Sequence, residues 1–209
     1  MKFVALVSSG IDSPVATYLI SKKAEEIILV HADNRPFTDD REIKNFIVLA
    51  KHLKENLSSS IKTYIVPHGS TLNAYEQNCN SRFTCVVCKR MMVRYAERIA
   101  EKEHADAIIM GDSLGQVASQ TLQNIRVVEQ AVKIPILRPL IGLDKEDVVK
   151  IAKEIGTYDL SILPTDGCSA VPAKPATRAK IDQILKEEKR IAVDNLVQKA
   201  IHDVKSVNF

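Results

Sequence analysis

The sequence contains no long apolar run and no signal-peptide pattern, and Met1 is followed almost at once by the apolar stretch Phe3–Val7. We therefore expect a soluble, cytoplasmic protein that has no membrane partner. Internal repeats and low-complexity tracts are also absent, and 209 residues are enough for one buried core. The net charge of +3 is too small to indicate a nucleic-acid-binding protein by composition, so any RNA contact must depend on local sites.

Cysteine is scarce, with four residues in the chain. Cys85 and Cys88 form a C-x-x-C motif at the start of a helical pattern, where we expect the helix dipole and the adjoining Lys89 and Arg90 to favour thiolates. No second C-x-x-C motif and no suitably spaced histidine pair completes a tetrahedral zinc site, and only Cys79 and Cys168 remain. Three interpretations stay open: an iron–sulfur cluster with three cysteines and an open iron position, a redox disulfide, and two incidental buried thiols.

Two well-known phosphate-binding patterns are missing as well. The chain has neither G-x-x-x-x-G-K-[ST] nor G-x-G-x-x-G, which argues against phosphoryl-transferring P-loop enzymes and the usual NAD enzymes. Instead, the small residues Ser8–Ser13 join the first apolar run to a helical pattern that begins at Pro14. Backbone N–H groups and the helix dipole at such a junction attract an anion, which small side chains allow to approach. An ordinary strand–helix turn capped by Asp12 or Ser13 is the alternative.

Apolar strand-like segments alternate with helix-period segments along the chain. The candidate strands are Phe3–Val7, Ile27–His31, Thr63–Val66, Ala107–Met110 and Ile134–Leu137. The candidate helices are Pro14–Lys23, Asp39–Asn56, Val87–His104, Val117–Ala131, Lys145–Ile155 and a long one from Thr177 to about Lys205. This alternation predicts an α/β fold with a doubly wound, mainly parallel sheet. We assign residues 1–176 to that domain and residues 177–209 to a C-terminal helical extension packed on it.

Unusual residues follow several of the candidate strands. In a doubly wound fold, ligands bind beyond the carboxyl ends of the strands, so we expect the Ser8 loop, His31, His68 and the Gly111-Asp112 pair to form one site. The two histidines could equally have structural roles as hydrogen-bonding residues. Residues 156–175 lack periodicity and contain three prolines together with Cys168, which predicts an ordered loop or a flap over the site.

Basic residues recur at every fourth position of the candidate helix after the C-x-x-C motif. They are Arg90, Arg94, Arg98 and Lys102. An RNA backbone could lie along this positive stripe. Because Glu97, Glu101 and Glu103 are close by in sequence, a solvated, salt-bridged helix face is the interpretation that we favour.

Several motifs occur in order after the fourth candidate strand. They are GDSLGQVASQT from Gly111, RPLIG from Arg138, DKE from Asp144 and IGT from Ile155. With these blocks, the chain from Ser8 nearly to its end resembles the catalytic domain of the tRNA 4-thiouridine synthetases, also called thiamine-pathway sulfurtransferases. Its Ser8–Ser13 loop is similar to the S-G-G-x-D-S pyrophosphate loop of the adenine nucleotide alpha-hydrolase-like (PP-loop) ATP pyrophosphatases, with Ser9 in place of the first glycine. The resemblance implies that fold, and agreement in several separated blocks is more specific than one short motif.

The resemblance also implies a reaction. ATP transfers AMP to the O4 oxygen of a uridine in tRNA, and a sulfur nucleophile then displaces AMP to leave 4-thiouridine. The loop would neutralise the pyrophosphate, Asp12 would position Mg²⁺ or the loop, and Lys145 would stabilise developing charge. The residues expected to contact the nucleotide are Ser8, Ser9, Gly10, Asp12, Ser13, His31, Gly111, Asp112, Ser113 and Gln120. A helix cap by Asp12 and a surface pair of Lys145 with Glu146 are the plain structural alternatives.

The cysteines acquire an interpretation from the same resemblance. Cys85, Cys88 and Cys168 are similar to the three-cysteine sites of related thiolases, which implies a 4Fe-4S cluster that binds sulfide. The alternative is a Cys85–Cys88 disulfide with Cys168 as a persulfide carrier.

Further domains that the family usually has are not found in this sequence. Members usually begin with a ferredoxin-like segment and a THUMP domain that grips tRNA, and many bacterial members end with a sulfur-carrying rhodanese domain. We therefore expect a separate THUMP-domain partner, and sulfide or a persulfide carrier as sulfur donor. The resemblance also implies a homodimer. Local RNA contacts would come from Arg90, Arg94, Lys174 and Arg178. Two other functions stay open: a PP-loop pyrophosphatase with another small acceptor, and a non-catalytic nucleotide-binding subunit.

Overall fold

Six strands form one sheet in the computed structural model, which describes residues 1–209. In chain order the strands are β1 (Lys2–Leu6), β2 (Glu26–Asp33), β3 (Ser60–Pro67), β4 (Ala107–Ile109), β5 (Ile136–Leu137) and β6 (Lys205–Ser206). Their spatial order is β5-β4-β1-β2-β3-β6, and all neighbours are parallel except β3 and β6. The predicted α/β fold with a mainly parallel sheet is confirmed, and the antiparallel edge strand β6 is a feature that was not predicted.

Helices cover both faces of the sheet. They are α1 (Asp12–Ser21), α2 (Asp40–Asn56), α3 (Gly69–Asn78), α4 (Thr84–Glu103), α5 (Leu122–Glu129), α6 (Lys145–Glu154), α7 (Tyr158–Ser161), α8 (Ile181–Glu188) and α9 (Val193–His202). Because alternate strand residues point to opposite faces, Ala5 and Leu29 share a core with α1, α2 and α6, whereas Val4 and Ile28 share one with α4, α8 and α9. Burial on both faces explains the continuous apolar runs. None of these helices is long and apolar enough to span a membrane.

The strand order determines where a ligand can bind. β1 lies between β2 and β4, and the chain proceeds outward from β1 in both directions. A doubly wound sheet opens a crevice beyond the carboxyl ends of the strands at such a reversal. The loop after β1 therefore lies at the position where this fold class binds its ligands.

Two predicted helices are interrupted. The segment predicted as one helix from Val117 to Ala131 contains a 3₁₀ turn at Ala118–Gln120 and then α5, because the Thr121 hydroxyl accepts the Asn124 N–H and caps a new helix. The long helix predicted from Thr177 to about Lys205 is wrong. The chain turns between α8 and α9, so that both short helices can place apolar residues in one core.

The predicted basic stripe on α4 is mostly not a solvated face. Arg90 is 1% exposed, and its guanidinium donates to both carboxylate oxygens of Glu188 on α8, at 2.8 and 3.0 Å. Arg94 donates to the same two oxygens at 2.7 and 2.9 Å. Only Arg98 forms the exposed pair that the sequence suggested, with Glu101. Neither Arg90 nor Arg94 is therefore available for RNA, since α8 covers this part of the helix.

The buried pairing of Glu188 predicts a large effect on stability. Glu188→Gln leaves the buried Arg90 guanidinium without the negative charge of its carboxylate partner. We therefore expect the free energy of unfolding in urea to fall by about 3 kcal/mol. The exposed pair provides a matched control, because Glu101→Gln on α4 should cost less than about 1 kcal/mol. Equal losses in the two variants would contradict this account.

The same carboxylate makes the effect depend on pH. Burial acts to raise the pKa of Glu188, but hydrogen bonds from Arg90 and Arg94 outweigh it, and the pKa of Glu188 is lowered overall. A lowered pKa in the folded state contributes stability that is lost as the pH falls. The advantage of the wild type over Glu188→Gln should therefore shrink as the pH falls below the ordinary glutamate value of about 4.3.

Candidate active site

A cavity of about 320 Å³ opens beyond the carboxyl ends of β1, β2 and β4. Eight of the ten residues expected to contact a nucleotide line it: Ser8, Gly10, Asp12, Ser13, His31, Gly111, Asp112 and Gln120. Ser9 and Ser113 do not line the cavity. The structure thus brings together segments that are more than a hundred residues apart in the sequence.

The loop between β1 and α1 has the geometry of an anion site. The Ser8 N–H donates to Ser13 Oγ at 2.9 Å, and Ser8 Oγ accepts the Gly10 N–H at 3.3 Å, so hydroxyl groups hold the turn from within. α1 begins at Asp12, and its first N–H groups are left for an anion because a helix cannot satisfy them internally. The loop therefore presents the positive end of a helix dipole to the cavity.

Gly111 lets β4 approach this loop closely. A Cβ at Gly111 would lie 2.7 Å from Ser13 N and 2.8 Å from Ser13 Cα, and both of these are main-chain atoms that cannot move aside. The end of β4 and the start of α1 consequently pack without an intervening side chain. This contact fixes the position of the helix N-terminus relative to the sheet.

Asp12 and Lys145 form an ion pair beside the cavity. Lys145 Nζ lies 2.5 Å from Asp12 Oδ1, and the Lys145 side chain is about half exposed. The structure therefore pairs Lys145 with the loop aspartate rather than with Glu146. Lys145 does not line the cavity itself. It places a positive charge at the start of α1, where the β1–α1 loop ends.

Three buried polar atoms on lining residues have no hydrogen-bond partner within the protein. They are His31 Nε2, Asn34 Oδ1 and Gln120 Oε1. His31 Nδ1 lies 3.0 Å from the Val7 carbonyl, and burial lowers the pKa of His31, so the neutral ring donates from Nδ1 and leaves Nε2 as an acceptor. Buried polar atoms are rarely left unpaired, so these three acceptors indicate a ligand that donates hydrogen bonds.

Asp112 is anchored between two cations at the cavity wall. It is 4% exposed and pairs with Lys89 at 2.6 Å and with Arg138 at 3.3 Å. The neighbouring Ser113 donates instead to the Leu143 carbonyl at 3.3 Å, which turns it away from the cavity. Asp112 therefore lines the cavity and is held in position by its ion pairs with Lys89 and Arg138.

The three cysteines proposed as a group lie near one another outside this cavity. Burial raises the pKa of Cys88, and the neighbouring Cys168 and Cys85 raise it further. Burial and Cys168 likewise raise the pKa of Cys85. The expectation that the helix start and the adjoining Lys89 favour thiolates is wrong, because the effect of burial on the pKa values outweighs that of the cation. No three His, Cys, Asp or Glu side chains are grouped closely enough to hold a single metal ion.

A buried polar chain supports Cys88. Its Sγ lies 3.2 Å from His68 Nε2, and His68 Nδ1 lies 3.1 Å from the Tyr95 hydroxyl, which is 2.8 Å from Thr71 Oγ1. Burial lowers the pKa of His68 to about 4, so the ring is neutral at physiological pH. His68 was expected either to take part in the ligand site or to be a structural hydrogen-bonding residue. The structure shows the second role, because His68 contacts Cys88 and does not line the cavity.

The segment 156–175 is anchored and does not cover the cavity. Ser169 N–H donates to the Phe37 carbonyl at 2.8 Å, and Asp166 pairs with Arg41 at 2.6 Å. None of its residues lines the cavity, so the flap interpretation is wrong and the ordered-loop interpretation holds. These anchors place Cys168 near Cys85.

Sequence reasoning missed several lining residues, among them Glu42 and Asn34. Glu42 accepts the Ser9 hydroxyl at 2.8 Å and the Ser9 N–H at 3.4 Å. It is an ordinary acidic residue in the first turn of α2, and Asn34 lies in a turn after β2. The one available signal was that both follow the carboxyl end of a strand.

Comparison with known proteins identifies the family. The family model described as thiamine biosynthesis protein (ThiI) matches residues 1–193. The chain belongs to the ThiI family. Its ThiI relatives include a probable tRNA sulfurtransferase of Methanothermobacter thermautotrophicus, 46% identical over 193 residues, which are 92% of this chain and 50% of the relative. Another, from Methanosarcina mazei, is 40% identical over 205 residues, 98% of this chain and 51% of the relative.

Solved structures agree with the ThiI assignment. A crystal structure of a 4-thiouridine synthetase–RNA complex with bound ATP superposes with a TM-score of 0.93 at 34% identity, covering 99% of this chain and 55% of that one. The NMN synthetase of Francisella tularensis, at 16% identity and a TM-score of 0.55, shares the fold alone. The chain spans about half the length of the ThiI relatives that it matches.

Proposed function

We propose that this chain is the catalytic part of an ATP-dependent tRNA sulfurtransferase that converts uridine to 4-thiouridine. The observation that carries the proposal is the cavity at the β1–α1 loop, where a helix N-terminus for phosphates and three unpaired acceptors for a nucleoside occur together. The amino group of adenine and the hydroxyl groups of ribose are donors that would satisfy such acceptors. The likeness to an ATP-bound 4-thiouridine synthetase supports the same placement of ATP.

The proposed chemistry has two steps. The uridine O4 oxygen attacks the α-phosphorus of ATP and pyrophosphate leaves; a sulfur nucleophile then attacks C4, and the C–O bond breaks to release AMP. The Ser8–Ser13 loop stabilises the negative charge that develops on the departing pyrophosphate, and the Asp12–Lys145 pair maintains the position of the helix start. Mg²⁺ would arrive on the ATP phosphates and could be held by Asp12, the carboxylate on the loop itself, since this ion commonly combines one or two carboxylates with phosphate oxygens.

We further propose that Cys85, Cys88 and Cys168 hold a 4Fe-4S cluster. The donor set is of the right chemical kind, because thiolates are the usual ligands of such clusters, and the fold brings Cys168 close enough to Cys85 and Cys88 to influence their pKa values. Bound there, a cluster with one open iron position would supply a site for sulfide. The protein contributes burial around the sulfurs and the His68 contact to Cys88. The alternative is a Cys85–Cys88 disulfide with Cys168 as a persulfide carrier, and the cysteine substitutions described in the Discussion distinguish it from a cluster.

Substrate RNA would contact cations other than Arg90 and Arg94. Lys174 and Arg178 are exposed, and Arg178 lines a surface groove of about 440 Å³ together with Arg126 and Lys180. No acidic residue lines this groove, and α5 connects it to the cavity residue Gln120. A THUMP-domain protein would add further tRNA contacts, and we propose a homodimer as the assembly, from the family resemblance.

The RNA proposal predicts a salt dependence. Binding of labelled tRNA, followed by fluorescence anisotropy, should weaken as KCl rises, and each of Arg126→Gln, Arg178→Gln and Lys180→Gln should reduce the slope of log K against log salt by roughly one. Lys22→Gln and Lys23→Gln are matched controls that should leave the slope unchanged, since these residues follow the C-terminal end of α1 and precede the amino end of β2. Equal slopes in all variants, or no binding even with a THUMP-domain partner, would count against tRNA as the substrate.

A pyrophosphate-release assay tests the proposed function as a whole. We expect release from ATP that requires tRNA. Release with another acceptor but not with tRNA would identify a different pyrophosphatase, and no release under any condition would identify a non-catalytic nucleotide-binding subunit.

A further inference from the structure

Glu42 places a carboxylate on the phosphate loop itself. Its Oε2 accepts the Ser9 hydroxyl at 2.8 Å, and its Oε1 lies 3.4 Å from the Ser9 N–H. Glu42 also lines the cavity. A carboxylate oxygen and a phosphate oxygen seek the same kind of donor, so Glu42 binds the loop as an anion would.

The surroundings of Glu42 show that this contact is its main source of stabilisation. The other acidic residues near the start of α2 are paired with arginine: Asp33 and Asp40 with Arg35, and Asp39 with Arg41. Glu42 forms an ion pair with no Lys, Arg or His. Its charge is balanced instead by the Ser9 donors, at the loop that is built to receive negative charge.

We propose that Glu42 is an internal competitor for the phosphate loop. Its carboxylate holds Ser9 while the loop is empty and is displaced when phosphates bind, and its return weakens the retention of pyrophosphate after the first step. This inference rests on the proposed use of the loop for ATP. Ser9 is essential to this competition. A glycine at this position would keep the N–H but lose the hydroxyl that makes the shorter contact with Glu42.

Calorimetric binding of inorganic pyrophosphate in the presence of EDTA measures the competition without metal. We expect Glu42→Gln to bind pyrophosphate about tenfold tighter than the wild type, which corresponds to one lost charge-assisted hydrogen bond. Asp40→Asn is a matched control, because it removes the same charge from the same helix turn without touching the loop; its affinity should stay within about twofold of the wild type.

A double-mutant cycle separates this mechanism from simple crowding by the Ser9 Cβ. Ser9→Gly should tighten pyrophosphate binding in the wild type but have no effect in the Glu42→Gln background, since Ser9 acts through Glu42. The inference is overturned by an unchanged or weaker affinity of Glu42→Gln for pyrophosphate, or by an equal effect of Ser9→Gly in both backgrounds.

ATP binding is measured in the same samples. If no variant binds either ATP or pyrophosphate, the proposed function itself fails, whereas ATP binding without the predicted differences overturns only the role of Glu42.

Discussion

Asp12→Ala is expected to abolish the release of pyrophosphate from ATP, with a loss of at least about 10²-fold in rate, while the protein stays folded. Asp12 begins α1 at the phosphate loop, and its carboxylate binds Lys145 Nζ. Its removal frees Lys145 from the helix start and takes away the loop carboxylate that we propose for Mg²⁺. Both effects act at the reacting phosphates, so the loss should appear in kcat rather than only in the affinity for ATP.

A control for this substitution is available on the same surface. Asp147, in the first turn of α6, is exposed and lies outside the cavity, so Asp147→Ala removes an equal charge without touching the loop. Its rate should stay within about twofold of the wild type. Circular dichroism of Asp12→Ala establishes that the fold is intact. A folded Asp12→Ala protein with full pyrophosphate release would disprove the assignment of the loop.

Single serine substitutions at Cys85, Cys88 and Cys168 are each expected to eliminate the iron–sulfur cluster that we propose and the formation of 4-thiouridine. A cluster held by three cysteines cannot keep its coordination when one thiolate is replaced by a hydroxyl, which is a poorer iron ligand. The measurement is anaerobic reconstitution followed by absorption and electron paramagnetic resonance spectroscopy, with thiolated nucleosides quantified in the same samples.

The fourth cysteine provides the control for this series. Cys79 contacts the Glu187 carbonyl in a separate part of the structure, and burial raises the pKa of its thiol to about 11. Cys79→Ser should keep both the cluster and thiolation. Cys168→Ser with a normal cluster and full thiolation would refute Cys168 as a cluster ligand. Loss of thiolation in the cysteine variants, with no cluster in the wild type, would favour the disulfide and persulfide alternative.

Local sequence patterns were sufficient to predict that the β1–α1 loop lies at the cavity. An apolar strand, a run of small residues and a helix start are adjacent in the chain, so the geometry of Ser8–Ser13 depends on neighbours that the sequence displays together. The same holds for Gly111 and His31. Gly111 follows β4 and His31 lies near the carboxyl end of β2, and the carboxyl ends of parallel strands lie at the same edge of the sheet.

Long-range pairings could not be predicted in this way. Glu188 lies 98 residues from Arg90, and helix periodicity shows which face of α4 is basic but not which element covers it. Glu42 lies 33 residues from Ser9 and resembles any acidic residue in a first helical turn. The effect of burial on the cysteine pKa values was missed for a related reason, since the local cation is visible in the sequence and the packing around the sulfur is not.

The origin of the oxygen in the AMP product tests the central claim most directly. The reaction is run anaerobically in H₂¹⁸O with ATP, tRNA and sulfide, and AMP and the tRNA nucleosides are analysed by mass spectrometry. If uridine O4 attacks the α-phosphorus, AMP takes its new oxygen from the RNA, so it should contain no ¹⁸O and should equal 4-thiouridine in amount. AMP that carries one solvent ¹⁸O, without thiolated uridine, would show that water is the acceptor and would contradict activation of uridine by this chain.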